Sequence, residues 1–209
     1  MRLPGKMAEA LCAIVFTACS LDSVFIGRNI SSDQSPFYRN TSLRTVTITG
    51  KATEISENEF YGCTNLKNVT IGDGVKTIGN WAFSGCASLD YFAFGSSVES
   101  IGKEAFSDCT AMTRLISHAA TPPACGSQAL DDINKWNCTL SVPQGMTEAY
   151  QQADQWKEFF FISDDAAAVQ GIMTDRTVAP TRIFNLRGQR LSQPQKGINI
   201  VDGKKVVVK

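Results

Sequence analysis

The sequence contains one histidine, His118, and carries no net charge, because 20 basic residues balance 20 acidic ones. A neutral chain gives no electrostatic indication of nucleic-acid binding. Catalysis of the Ser-His-Asp or Cys-His kind would have to use His118, and nothing in the sequence assigns it a nucleophile. Gly72-Asp73-Gly74 matches neither G-x-G-x-x-G nor the P-loop, so it is interpreted as a turn. The sequence therefore predicts a protein that is not an enzyme and uses no cofactor.

Long apolar runs are missing as well. No stretch approaches the roughly 18 apolar residues that a membrane-spanning helix needs. In residues 1–20, Arg2 and Lys6 precede an apolar segment that is too short to span a bilayer and ends in small residues, as an export signal does. Cys19 follows Phe-Thr-Ala and resembles the cysteine of a bacterial lipoprotein signal, where a lipid would attach the chain to a membrane. The alternative is an ordinary N-terminal extension.

Three segments of 23 residues align without a gap at residues 43–65, 66–88 and 89–111. The same columns are apolar in each segment, including Ile55/Ile78/Ile101 and Phe60/Phe83/Phe106. A partial copy precedes them, with Phe37 and Asn40 in the phenylalanine and cysteine columns. A fixed period of this length is typical of repeat proteins whose units stack on one another.

Each segment begins with an L-x-x-V-x-I pattern, whose last apolar residues alternate as in a strand with one buried face. A turn, a short extended piece and a helical or irregular return follow. One unit cannot bury its own apolar edge, but stacked units bury it against each other. The period therefore predicts a solenoid with a parallel strand ladder, within the leucine-rich-repeat range of about 20 to 29 residues.

Cys63, Cys86 and Cys109 occupy one column, so they should stack at roughly the strand spacing of about 4.8 Å and face inward. That distance alone permits a disulfide, but parallel side chains do not converge on one and a third cysteine stays unpaired. The C-x-x-C spacing of zinc sites is missing. We expect free, buried cysteines that act as small apolar residues, and no metal site.

At these residues the chain resembles the BspA-type, or Treponema pallidum-type, leucine-rich repeats, whose units read close to L-x-x-V-x-I-x-x-x-V-x-x-I-G-x-x-A-F-x-x-C. The resemblance covers residues 43–111 and extends over about 24–160. Glu59 stands where the family has alanine, and Phe92 and Phe94 replace valine and isoleucine. The family has no catalytic motif, and it is associated with surface display and adhesion.

The flanks fit the same resemblance. Residues 120–160 resemble the closing unit of such proteins in Bacteroidetes, with a strand at CTLSVP and a capping helix from about Met146. Ala149, Tyr150, Ala153 and Trp156 are predicted to form its apolar stripe, and Trp136 and Trp156 to be core or cap residues. In the basic tail, Asp202-Gly203 predicts a β-hairpin, and the tail resembles the C-terminal tails of exported Bacteroidetes proteins.

The predicted fold class is thus an α+β solenoid of 23-residue leucine-rich repeats with a parallel strand ladder, a C-terminal capping helix and a small β-hairpin tail. The predicted layout is a signal at 1–20, a truncated repeat at 21–42, three repeats at 43–111, a divergent repeat and cap at 112–162, a linker at 163–181 and the tail at 182–209.

A solenoid presents an extended rigid surface, so the outward strand positions are candidate partner-binding residues: Thr45, Asn68, Tyr91 and Arg114 in one column and Thr70 in another. Tyrosine and arginine are common in binding hot spots. Trp81 shares a column with Asn58 and Glu104, which implies a solvent-facing position, where it would contact a partner or cover neighbouring coils.

The resemblance implies an adhesin or interaction protein, secreted or displayed on the outer membrane of a Gram-negative bacterium, that binds host or bacterial surface proteins. The alternative is a truncated structural or degenerate repeat fragment without a dedicated ligand.

Overall fold

The computed structural model describes residues 20–30, 35–49 and 51–164, and four strands of the tail by their backbone alone. Its main feature is a seven-stranded parallel sheet in the order β1-β2-β4-β6-β8-β10-β11. These strands are β1 (Ser23–Ile26), β2 (Thr45–Ile48), β4 (Asn68–Ile71), β6 (Tyr91–Phe94), β8 (Arg114–Ser117), β10 (Thr139–Ser141) and β11 (Phe161–Ser163). Successive strands are one coil apart, so the chain forms a parallel-strand solenoid of about 6 turns of roughly 23 residues.

A second parallel sheet runs along the solenoid. It contains the two-residue strands β3 (Glu54–Ile55), β5 (Thr77–Ile78), β7 (Ser100–Ile101) and β9 (Ala124–Cys125), in that order. The predicted register is confirmed in both sheets, because Val46 pairs with Val69 and Ile55 pairs with Ile78. Identical units stacked in register place each residue directly beside its counterpart one period away.

The core lies between the two sheets and is built from the repeated columns. The rings of Phe37, Phe60, Phe83 and Phe106 stack with centroid separations of 5.3, 5.2 and 5.5 Å. Phe92 contacts Phe83 and Phe106 edge-on at 5.0 and 4.8 Å. The departure from the family's valine at this position therefore adds aromatic packing to the core.

The three repeat cysteines are free and buried, as predicted. Each thiol donates to a phenylalanine carbonyl of the preceding coil: Cys63 to Phe37 at 3.0 Å, Cys86 to Phe60 at 3.3 Å and Cys109 to Phe83 at 3.2 Å. Burial raises the pKa of Cys63 to about 12. Because the thiolate is the reactive form, these side chains serve packing rather than chemistry.

Asn40 is buried in the cysteine column, as predicted for the partial repeat. Its Oδ1 accepts hydrogen bonds from the backbone N–H groups of Ser42 and Leu43, both at 3.0 Å. An asparagine can therefore replace the cysteine in this column because local backbone donors satisfy its oxygen.

The end of the solenoid is closed by a short helix, α1 (Thr147–Gln152), and a 3-10 helix (Trp156–Glu158). Tyr150 and Trp156 are fully buried, and the Trp156 indole N–H donates to the Pro123 carbonyl at 2.8 Å. The predicted apolar stripe is wrong at Ala149, which lies inside α1 and is exposed. The helix also ends at Gln152, so it does not extend to Trp156.

The tail forms a separate four-stranded antiparallel sheet in the order β13-β12-β14-β15. Its strands are β12 (Ile183–Asn185), β13 (Arg190–Leu191), β14 (Gly197–Val201) and β15 (Lys204–Val208). Val201 pairs with Lys204, so the predicted hairpin around residues 202 and 203 is confirmed. Two further strands join it, which makes the tail larger than a hairpin.

Candidate protein-binding surface

The outer face of the seven-stranded sheet carries the predicted binding column. Thr45 pairs with Asn68, Asn68 with Tyr91, and Tyr91 with Arg114. Strand spacing of about 4.8 Å makes these side chains direct neighbours. The residues that alternate with them along the strands, such as Val69 and Phe92, face inward and are fully buried in the core. The strands therefore point this column away from the core, as the alternation of the sequence predicted.

Tyr91 and Arg114 contact each other on this face. The Arg114 guanidinium carbon lies 5.1 Å from the centroid of the Tyr91 ring, which is a cation-π distance, and both residues are half-buried. Burial raises the pKa of the Tyr91 hydroxyl, and the positive charge of Arg114 partly opposes that rise. The pair thus presents a neutral ring and a cation in one fixed arrangement.

A second outward column runs beside the first, from Thr47 and Thr70 to Ala93 and Ile116. Ala93 and Ile116 are buried at 3% and 2% exposure, and Tyr91 packs against them. The middle of the face therefore has an apolar floor under an aromatic and cationic pair. In the same column, the two preceding coils carry the hydroxyl groups of Thr47 and Thr70.

Trp81 lies on a different surface, the row of turns that returns each coil to the main sheet. It is half-buried rather than freely exposed. Its indole N–H donates to the Glu104 carboxylate at 3.0 Å, and the Lys103 ammonium lies 5.4 Å from its ring. Of the two predicted roles, the structure favours covering the neighbouring coil. Trp81 also adopts a positive φ of 52°, as do Asn58 and Glu104 in the same column.

A second aromatic cluster on the row of turns escaped prediction. The rings of Tyr38 and Tyr61 stack at 5.1 Å, and the exposed Arg39 guanidinium lies 5.3 and 5.9 Å from their centroids. The two tyrosines are 23 residues apart in the sequence. That shared column is the signal that would have identified the cluster.

The prediction for Trp136 is wrong, whereas that for Trp156 is confirmed. Trp156 is fully buried, but Trp136 is 72% exposed and stacks on the Phe160 ring at 4.7 Å. Trp136 lies in a turn of the divergent coil, where the 23-residue alignment no longer assigns a column. No counterpart in an adjacent repeat indicated which way the Trp136 side chain points.

The sequence predicted no metal site and a lipid on Cys19. Within residues 20–30, 35–49 and 51–164, no group of three metal-ligating side chains comes together. Cys19, the predicted lipidation residue, lies outside the described residues. None of the helices in the described part of the chain has the length and apolar character needed to cross a bilayer.

Comparison of the sequence with protein families finds a leucine-rich repeat match. The profile described as "BspA type Leucine rich repeat region" matches residues 5–117 in six copies, which is more than half of the chain. No functionally curated protein matches the chain.

Solved structures to which the chain is similar come from several bacteria. A leucine-rich repeat protein of T. pallidum has 22% identity and a TM-score of 0.48, over 69% of this chain and 63% of its own. A leucine-rich cell surface protein of Faecalibacterium prausnitzii has 22% identity and a TM-score of 0.30, over 58% and 43%. A leucine-rich repeat protein of Eubacterium ventriosum has 15% identity and a TM-score of 0.37, over 64% and 44%. The chain thus spans less than two thirds of each of these structures.

Proposed function

Because this chain belongs to the BspA-type leucine-rich repeat family, we propose that it is a non-enzymatic cell-surface protein that binds other proteins. Leucine-rich repeat proteins of this kind are in general binding proteins, and a leucine-rich cell surface protein is among the similar structures. The proposal extends to adhesion: the partners are surface proteins of host or bacterial cells. It also includes export to the outer membrane of a Gram-negative bacterium of the Bacteroidetes, with a lipid on Cys19 as the anchor.

The observation that carries the binding role is the stacked Tyr91 and Arg114 pair on a continuous sheet face. Tyrosine and arginine supply much of the binding energy in protein interfaces because they combine large contact area with hydrogen-bonding groups. The parallel ladder holds both backbones in register, so little conformational freedom is lost when a partner binds. Thr45, Asn68 and Thr70 extend the same face with polar groups.

Purified full-length protein tests this proposal in a cell-binding assay with bacterial and epithelial cells. Replacing Tyr91 and Arg114 with alanine should reduce affinity by about 2 kcal/mol for each residue, or roughly 30-fold, while the melting temperature changes little. Trp81→Ala should have a smaller effect on binding, since this side chain covers the next coil.

Lys76→Ala is the matched control. It removes a positive charge that pairs with Glu99 at 3.3 Å beside the second sheet, away from the proposed surface. Equal binding by wild type and the Tyr91/Arg114 variant would remove this face from the proposal. Failure of the wild-type protein to bind any cell surface would contradict the adhesion function itself.

A further inference from the structure

Arg114 is held in place but has no acidic partner in the described part of the chain. Its guanidinium stacks on the Tyr91 ring, and none of the ion pairs among the described residues includes it. Asp90, which precedes Tyr91, instead accepts a hydrogen bond from the Thr113 hydroxyl. A guanidinium that lies over the face of a ring leaves the N–H groups at its edge free to form two parallel hydrogen bonds to one carboxylate.

The residues at the neighbouring outward positions indicate how many negative charges the ligand carries at this site. The ladder partners of Arg114 are Tyr91 and Thr139, and Ile116 and Ala93 form the floor beside it. Arg114 is thus the single charged residue among the outward positions of β2, β4, β6 and β8. A polyanion such as a sulfated polysaccharide or nucleic acid needs several cations in a row. One planar cation whose neighbours at the outward positions are uncharged fits one carboxylate.

The rest of the face fits a peptide segment that carries this carboxylate. Ala93 and Ile116 are buried beneath the pair and support it, and Thr45, Asn68 and Thr70 offer hydroxyl and amide groups one and two coils away. Strand spacing of about 4.8 Å places these groups roughly 5 to 10 Å from Tyr91, within the span of a few residues of an extended chain.

We propose that Tyr91 and Arg114 form a receptor for a side-chain carboxylate of an acidic partner segment, which lies across the outer face toward Thr70 and Asn68. This inference rests on the proposed protein-binding function and names the partner chemistry for the same surface. Tyr91 orients the guanidinium, and Arg114 donates the hydrogen bonds to the carboxylate.

A titration of the full, nitrogen-15-labelled chain with N-acetyl-hexaglutamate amide tests the receptor directly. The observable is the Nε–Hε resonance of Arg114, which is assigned by its loss in Arg114→Lys. Hexaglutamate should shift this resonance saturably, and the neutral hexaglutamine peptide should not. No shift, or an equal shift with hexaglutamine, would overturn the proposal.

Three variants separate fork-like recognition from general charge attraction, with affinity measured from the shifted amide resonances. Arg114→Lys keeps the charge but loses the planar fork, so affinity for hexaglutamate should fall about tenfold or more. Tyr91→Ala removes the ring over which the guanidinium lies, so affinity for hexaglutamate should fall in this variant as well. Arg44→Lys is the control, since Arg44 is exposed and already pairs with Asp22 at 3.3 Å. Equal losses in Arg114→Lys and Arg44→Lys would contradict the receptor.

The outcomes also distinguish this inference from the function on which it rests. Cell binding that is lost in the Tyr91/Arg114 double variant but kept in Arg114→Lys and not inhibited by hexaglutamate would leave protein binding standing and overturn the carboxylate receptor. Arg114-dependent binding of hexaglutamate without any cell binding would support the receptor and contradict the adhesion proposal. Tighter Arg114-dependent binding of a heparin hexasaccharide than of hexaglutamate would overturn the acidic-peptide proposal in favour of a sulfated polysaccharide.

Discussion

Glu59 provides a direct test of how the coils are packed, because it is an acidic residue in a column that otherwise holds small apolar side chains. Ala82 and Ala105 occupy the equivalent positions and are fully buried, and Glu59 is only 2% exposed. Its Oε2 accepts a hydrogen bond from the Ser56 backbone N–H at 2.8 Å. Burial raises the pKa of Glu59 from its ordinary value of 4.5 to about 8, with the Ser56 hydrogen bond opposing the rise and the charge of Glu54 adding to it.

This raised pKa makes stability depend on pH. Below pH 4.5 the carboxyl is protonated in both the folded and the unfolded chain, so its stabilising contribution is fully present there. As the pH rises from about 4.5 to about 8, the unfolded chain loses the proton and the folded chain does not, so the free energy of unfolding falls. The two pKa values differ by about 3.5, which corresponds to up to about 5 kcal/mol at about 1.36 kcal/mol for each pH unit.

Glu59→Gln should remove this dependence. The glutamine oxygen can still accept the Ser56 N–H but cannot ionise, so the variant should gain stability relative to wild type as the pH rises. Urea unfolding at pH 4, 6, 8 and 9 measures the difference, and other titrating groups cancel between the two proteins. Glu59→Ala should gain less, since it leaves the Ser56 N–H without its acceptor at a cost of about 1 to 3 kcal/mol.

Glu148→Gln serves as the control, because Glu148 is an exposed carboxylate on α1. It should follow the wild-type pH profile. Parallel pH profiles for wild type and Glu59→Gln would refute the reasoning, because they would mean that the Glu59 carboxyl ionises in the folded chain as readily as in the unfolded one.

Three further predictions concern the stacked core. In thermal melts, Phe83→Ala should cost about 3 to 5 kcal/mol because it opens a cavity between two stacked rings, whereas Cys86→Ala should cost little; the reverse order would contradict the packing role of the cysteines. Gly102→Ala should destabilise the protein in urea unfolding far more than Gly27→Ala. A Cβ at Gly102 would lie 2.5 Å from a backbone nitrogen of the preceding coil, whereas a Cβ at Gly27 would meet only the Thr49 hydroxyl oxygen at 3.8 Å. When the native protein is treated with a thiol reagent at pH 8, peptide mapping should find Cys63 and Cys86 unmodified, because burial raises the pKa of both thiols. Rapid labelling of either cysteine before unfolding would contradict their burial.

The 23-residue period was sufficient to predict the register of both sheets, the inward phenylalanine and cysteine columns, and the neighbours Tyr91 and Arg114 on the outer face. The physical reason is that a parallel in-register stack places each residue beside its counterpart in the next unit. Asp202-Gly203 likewise predicted the hairpin, since turn geometry is local.

Only the tertiary structure decided the environment of residues that lie outside the aligned repeats or differ from their counterparts in the same column. Trp136 is exposed and stacks on Phe160, and Ala149 faces solvent. Trp81 packs against Lys103 and Glu104, and Glu59 is buried. In the divergent coil the 23-residue spacing is lost, so the path of the chain sets burial. For Trp81 and Glu59 the sequence identified the column. The packing of the adjacent coils decides which atoms lie beside a side chain that differs from its counterparts, and no repeat pattern specifies that packing.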